Sequence, residues 1–304
     1  MPYDLICLGN LSIDDIVLPD QTTRLGCFGG DAIYAALGAS WWSDSVRIVA
    51  PVGSDFPAEH LGYLDHSAWG AAGLPHRKVP SVHYRVIYGN HNQRTWIMKS
   101  NPEDFLELSP ALEDVPGDYR NSKSFLILAM DLVAQEKLAP GLREYGTVIL
   151  DPQEEYIPGN ESRVMAMLQN VDIFLPSIEE VDLLLGHRDA ERACRTFAAY
   201  GPQIVVVKLG GEGSLILDVK KDRFLSIPAF ITQVVDTTGA GDAYGGGFAA
   251  TYSRSGDLLK AGLAGTVSAS FAIQDFGLTH LFAVGREEVQ HRFTMLEKSR
   301  RWEG

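Results

Sequence analysis

Cysteine is scarce in this chain: Cys7, Cys27 and Cys194 are odd in number, far apart and without C-x-x-C spacing. That excludes a disulfide framework and a cysteine-ligated zinc site, and suits thiols in a reducing compartment. Runs of positive charge are missing as well. With 26 basic against 39 acidic residues, a formal net charge of −13 and a pI near 5.0, the chain carries neither a nucleic-acid footprint nor a patch for anionic membranes. No stretch approaches the ~20 apolar residues of a membrane span. The opening "MPYDLICLGN" has no basic segment followed by a long apolar one, so the cytoplasm is the expected compartment. The eight histidines lack H-x-x-x-H or H-x-H spacing and are assigned no metal. Neither a GxxxxGK[ST] loop nor a GxGxxG fingerprint occurs, which sets aside the two commonest nucleotide folds. Pro/Gly/Ser-rich linkers and internal repeats are also lacking.

What is present is ordinary globular composition, 45% hydrophobic and 21% charged, in 304 residues, ample for a large core. Short apolar runs recur, among them "DLICLG" (4–9), "VRIVAPVG" (46–53), "SFLILAM" (124–130), "TVILD" (147–151), "VDIFLP" (171–176) and "QIVVVKLG" (203–210). Most lack polar alternation, which predicts strands covered on both faces. Helix-like stretches lie between them, at 30–42, 58–73 and 179–186, and three more follow at 240–256, 257–273 and 286–300. The alternation predicts a three-layer α/β/α sandwich on a mainly parallel sheet. Two segments break the rhythm with hairpin character, "SVHYRVIYGNHNQRTWIMKS" (81–100) and the run after Asp14. They predict a small β lid, approximately 14–28 and 80–100, on one domain spanning 1–304.

The segment "FITQVVDTTGAGDAYGGGF" reads as a β run, a small-residue turn and a helix opening near Ala240 or Gly241. A helix start preceded by glycines bares amides and the positive end of the helix dipole, the local positive element that an acidic chain needs to hold an anion. Asp242 at that start would repel the anion, so a proton-accepting role fits it better. A simple first-turn carboxylate is the competing reading. Gly245 to Gly247 suggest close helix packing.

"DTTGAGDAYGGGF" resembles the C-terminal signature of the ribokinase-like, or PfkB, family of carbohydrate and nucleoside kinases, and further motifs follow in family order along nearly the whole chain. The resemblance implies Asp242 as catalytic base and the amides of Gly239, Ala240 and Gly241 as the anion hole. "LGNLSIDDIV" implies that Asp14, rather than Asp15, binds substrate hydroxyls. "CFGGDAIYAALGA" implies a substrate-binding turn at Gly29 and Gly30, with Asp31 and Tyr34 facing substrate. Tyr34 stands where the family commonly has Asn, which blocks transfer of any named sugar. "VDIFLPSIEEVDLLLG" implies Mg²⁺ organised through water by Glu180, with Ser177 in the place of an asparagine. "VVVKLGGEGSLI" implies nucleotide contacts at Lys208, Gly210 and Gly213, and Gly239 and Gly241 join them. "ILDPQEEY" resembles a D-P-N-x-R stretch with Glu155 in the arginine's place, which points to an uncharged acceptor.

Asp236 and the Thr238 carbonyl are implied to hold a monovalent cation, K⁺, with carbonyls from the region of "AIQDFG" (272–277); a turn cap without an ion is the alternative. Arg94, on the lid, either reaches substrate or is solvated. The function implied is ATP-dependent phosphorylation of a hydroxyl of a sugar or sugar-like polyol, by a monomer or homodimer with neither nucleic acid nor membrane as partner. A nucleoside kinase of the same fold and a non-catalytic nucleotide- or sugar-binding regulator are the alternatives.

Overall fold

The computed structural model describes residues 2–65, 69–89 and 94–300. The first half of the chain contains β1 (Tyr3–Leu8), β2 (Ser12–Val17), β3 (Thr23–Gly29), α1 (Asp31–Ser40), β4 (Val46–Val49), α2 (Ala58–Asp65), β5 (Val82–Tyr88), β6 (Arg94–Met98), α3 (Pro102–Leu108), β7 (Ser122–Ile127), α4 (Leu132–Leu142) and β8 (Thr147–Leu150). The second contains α5 (Glu161–Met167), β9 (Ile173–Phe174), α6 (Ile178–Leu185), α7 (Ala190–Ala198), β10 (Ile204–Lys208), β11 (Ser214–Asp218), β12 (Arg223–Ile227), α8 (Ala240–Ser255), α9 (Leu258–Ala272) and α10 (Arg286–Arg300).

Eight strands form the main sheet in the order β12-β11-β10-β9-β8-β7-β1-β4. From β4 to β10 every pairing is parallel, and β11 and β12 add an antiparallel edge. Unbroken apolar runs suit this sheet because both of its faces are covered. Along β1, Leu5 and Cys7 face one core and Ile6 and Leu8 the other. Along β10, Ile204 and Val206 join the first core, and Val205 and Val207 the second. Helices α1, α8 and α9 cover the first face; α4 to α7 contribute to the second.

The glycines inside α8 are where helices meet. A Cβ on Gly246 would stand 1.9 Å from the Ala35 carbonyl oxygen of α1, and one on Gly247 would stand 2.4 Å from Ser268 Oγ of α9. The backbone contact leaves no room for a side chain at Gly246, and one at Gly247 would displace Ser268. Trp41 and Trp42 serve the same packing, Trp41 against Phe271 and Trp42 through an indole N–H donated to Ser268 Oγ at 2.9 Å.

The second sheet has the order β3-β2-β5-β6, with β2 and β5 parallel between two antiparallel pairings. Its strands come from 12–29 and 82–98, and the turn at 90–93 lies outside the described residues.

Two sequence expectations are corrected. The helix expected over 58–73 runs only to Asp65; 66–68 lie outside the described residues, and Ala71–Gly73 forms a single 3₁₀ turn. The expected β run before the 236–239 turn is not a strand: Pro228 follows β12, and the Val235 and Asp236 amides donate to the Ile273 carbonyl instead of to a ladder.

Candidate active site

The carboxyl ends of the parallel strands converge on one edge of the main sheet, the usual place for a ligand in an open α/β fold. Asn10 follows β1, Asp151 follows β8, Ser177 follows β9 and Lys208 ends β10. The start of α8 points into the same region. Gly239 is its N-cap with φ 72, a left-handed conformation that favours glycine, and a Cβ there would lie 2.2 Å from the Tyr34 ring. Tyr34, 4% exposed on α1, thus props the turn from below. Burial first, and then the Asp236 and Asp14 charges, push its phenol well above the ordinary range. Asp242 occupies the first turn of α8, and its charge is the second cause, after burial, that pushes the Asp31 carboxyl well up.

Strand alternation decides between the paired aspartates of β2. Asp14 points inward and is buried, whereas Asp15 points out to Lys99 Nζ at 2.9 Å and the Gly26 amide at 3.2 Å. Asp14 Oδ1 is buried without a hydrogen-bond partner. Burial raises its carboxyl to about 7, opposed by the Ser12 hydroxyl and reinforced by Asp15. A Cβ on Gly29 would lie 2.0 Å from Asp14 Oδ2, so the glycine admits the carboxylate. Gly30 caps α1, and the next residue, Asp31, accepts the Asn10 amide at 2.9 Å. Asn10 donates its side-chain N–H to the Leu108 carbonyl at 2.9 Å and keeps a buried, unpartnered Oδ1. Two orphaned acceptor oxygens beside Asp31 suit a ligand rich in hydroxyl donors.

On the other side of Gly239 to Gly241 lies a cleft of about 400 Å³. Gly210 and Gly213 line it with Ala240, Gly241, Phe230 and Tyr244. Lys208 lines it as well, but its ammonium is committed to Asp151 Oδ1 and Oδ2 at 2.6 and 2.7 Å. Desolvation alone would lower this lysine; Asp151 and Glu180 outweigh it and hold the pKa above its ordinary value. The ammonium also stands 3.3 Å from where a Cβ on Gly241 would sit, so the ion pair borders the turn.

Ser177 and Glu180 form a capping box on α6: Ser177 N–H donates to Glu180 Oε2 at 2.6 Å and Glu180 N–H to Ser177 Oγ at 3.1 Å. Serine in the asparagine's place thus caps α6. Burial raises the Glu180 carboxyl to about 8, with Lys208 opposing and Asp151 adding to it. Arg94 opens β6, and its side chain lies outside the described residues.

Asp236 is 3% exposed at the turn before α8. Its Oδ1 accepts the Thr238 amide at 2.9 Å and the Thr238 hydroxyl at 2.8 Å, and its Oδ2 accepts the Tyr88 hydroxyl at 2.6 Å. Sequence reasoning missed Tyr88, Asn10 and the lysine's pairing with Asp151. Tyr88 reads as one more alternating strand residue, and its target lies 148 positions away. Asn10 sits beside a recognised motif in "LGNLSIDD", which was the only signal for it.

The fold is shared with solved proteins of ribokinase type. A nucleoside kinase from Methanocaldococcus jannaschii, described as an archaeal member of the ribokinase family, is similar at a TM-score of 0.78 and 21% identity, covering 97% of this chain and 100% of that one. Among curated proteins, a cytidine kinase from Thermococcus kodakarensis is 30% identical over 254 residues, 83% of this chain and 89% of the relative. A deoxyribokinase from Salmonella typhi is 26% identical over 297 residues, 90% and 94% of the two chains. The pfkB family of carbohydrate kinases matches residues 16–282, and the chain belongs to that family. It is therefore a phosphotransferase with an alcohol group as acceptor, which favours the enzyme over the non-catalytic regulator. Among the described residues no helix is long and apolar enough to cross a membrane.

Proposed function

We propose that this protein transfers the γ-phosphoryl group of ATP to a hydroxyl of a sugar or sugar-like polyol. The observation that carries the reading is the position of Asp242 and the Gly239 to Gly241 amides between a hydroxyl-hungry carboxylate cluster and a nucleotide-sized cleft. The acceptor lies against Asp14, Asp31 and the Gly29-Gly30 turn, under the lid. ATP lies along Gly210, Gly213 and Gly241. Asp242 takes the proton of the attacking hydroxyl, and the amides at the start of α8 stabilise charge on the transferring group. Lys208 acts at one remove: paired with Asp151, its ammonium borders the turn at Gly241 and donates to the carboxylate instead of to a phosphate oxygen.

Among the described residues no trio of His, Cys, Asp or Glu is grouped to ligate a metal directly. Mg²⁺ would be held through its waters with Glu180 as the organising carboxylate, its Oε2 fixed by the Ser177 amide. When bound, the ion supplies positive charge to the phosphates.

A nucleoside acceptor is the second reading. Trp96 stands on the lid 37% exposed and edge-on to Tyr84 at 5.5 Å, an aromatic pair available to a base, and the cytidine kinase is 30% identical. ADP release measured over matched panels of pentoses, hexoses, polyols and nucleosides tests the proposal. Turnover of free sugars or polyols supports the first reading, turnover confined to nucleosides the second, and turnover of neither overturns both.

A further inference from the structure

The family signature implies a monovalent cation at Asp236 and Thr238, ligated also by carbonyls of 272–277. Several of the oxygens at that place already take hydrogen bonds from the protein. Both oxygens of Asp236 already accept hydrogen bonds, from Thr238 N–H, Thr238 O–H and Tyr88 O–H among them. The Ile273 carbonyl accepts the Val235 amide at 2.8 Å and the Asp236 amide at 3.3 Å. The Phe276 carbonyl accepts Arg24 at 3.5 Å. A cation there would compete for these oxygens with the N–H and O–H groups of the protein.

The residue responsible is Tyr88, the last residue of β5 in the lid. Its hydroxyl lies 2.6 Å from Asp236 Oδ2, in the range of a charge-assisted hydrogen bond, and 3.0 Å from Thr238 Oγ1. Its ring is held edge-on by Phe276 at 4.8 Å, inside a small apolar cluster with Ile16 and Val86. The phenol is therefore presented by a packed strand, and the bond joins lid to turn across 148 residues of sequence.

We propose that Tyr88 takes the structural place of the monovalent cation: its hydroxyl satisfies Asp236, holds the turn that leads into Gly239 to Gly241, and makes the order of that turn depend on the lid rather than on K⁺. This rests on the kinase reading, and Tyr88 acts as a positioning residue through Asp236. Phosphoryl transfer by the wild type should differ less than about twofold between KCl and N-methylglucamine chloride at matched ionic strength near ~100 mM. Tyr88→Phe should lose about tenfold in kcat in the organic cation, the scale of one charge-assisted bond, and recover most of it in KCl, with the acceptor KM little changed. Melting temperature and ADP affinity by calorimetry, read in both salts, should likewise respond to K⁺ only in Tyr88→Phe. These two readouts need no acceptor, so they decide the inference even where every acceptor panel fails. Wild-type turnover, melting temperature or ADP affinity that depends strongly on K⁺ overturns it. So does a Tyr88→Phe enzyme that is indistinguishable from wild type in both salts. Should Tyr88→Phe not fold, the wild-type salt comparison decides alone.

Discussion

Asp242 and Asp14 are both carboxylates at the candidate site, and their surroundings ask different things of them. Asp242 is partly exposed on the first turn of α8, where a base can reach an acceptor hydroxyl. Asp242→Asn keeps size and hydrogen bonding but cannot accept the proton. It should lower kcat by about 10²–10⁴-fold while ADP affinity changes little. A variant keeping more than about a hundredth of wild-type kcat removes Asp242 from the base role.

Asp14 is buried with an oxygen left over, and its carboxyl sits at about 7 instead of the ordinary 3.8. The folded state thus holds a proton that the unfolded state has lost. Its contribution to stability is full below the unfolded pKa and is lost as pH rises from about 4 through 7. Asp14→Asn should raise the melting temperature of the acceptor-free protein at pH 8 by a few degrees, on the order of 2–5 °C, with the difference closing near pH 4. The same variant should raise the acceptor KM at least about tenfold, one charged hydrogen bond lost. Stability gained with affinity lost is the result expected of a carboxylate kept for its ligand; a loss of both would make Asp14 structural.

At the scale of elements, the cleft beside α8 is built partly by a helix that never touches it. Arg292 of α10 is 8% exposed, stacks on Phe271 at 3.7 Å and lies 5.2 Å from the Phe230 ring. It donates to Ser270 Oγ at 3.0 Å and to Gln274 Oε1 at 2.8 Å, and Gln274 in turn donates to Thr232 Oγ1 at 2.9 Å. Phe230, Thr232 and Ser270 all line the cleft. This guanidinium fixes a segment that has no strand ladder of its own, the one that sequence reasoning took for a β run. Arg292→Ala should raise the ATP KM by about five- to tenfold and leave the acceptor KM within twofold. Equal changes in both constants would point to general loosening. The helices themselves were more legible: α8 and α9 end and begin at Gly256 and Asp257, where a left-handed glycine follows the last turn and an aspartate caps the Leu259 and Lys260 amides.

Over the whole molecule, a net charge of −13 surrounds a site proposed to bind a polyanion. The long-range field opposes ATP, and the attraction proposed at close range comes from the amides at the start of α8. Adding an inert organic chloride from low to physiological ionic strength should therefore raise kcat/KM for ATP by about twofold, because screening acts on the distant charges first. A steep fall would show attraction to dominate even at long range.

The sequence by itself determined the layers and the order of motifs. Unbroken apolar runs of strand length suit strands covered on both faces, and glycines before a helix leave its first amides accessible. It also determined which residue types were available to the chemistry. Only the tertiary structure decided how those residues are spent. Strand alternation turned Asp14 inward and Asp15 out to Lys99. Adjacent strand ends brought Asp151 to Lys208, and the lid carried Tyr88 onto Asp236. Each pairing joins positions tens to hundreds of residues apart, and local patterning carries no information about which distant donor will reach a buried carboxylate first.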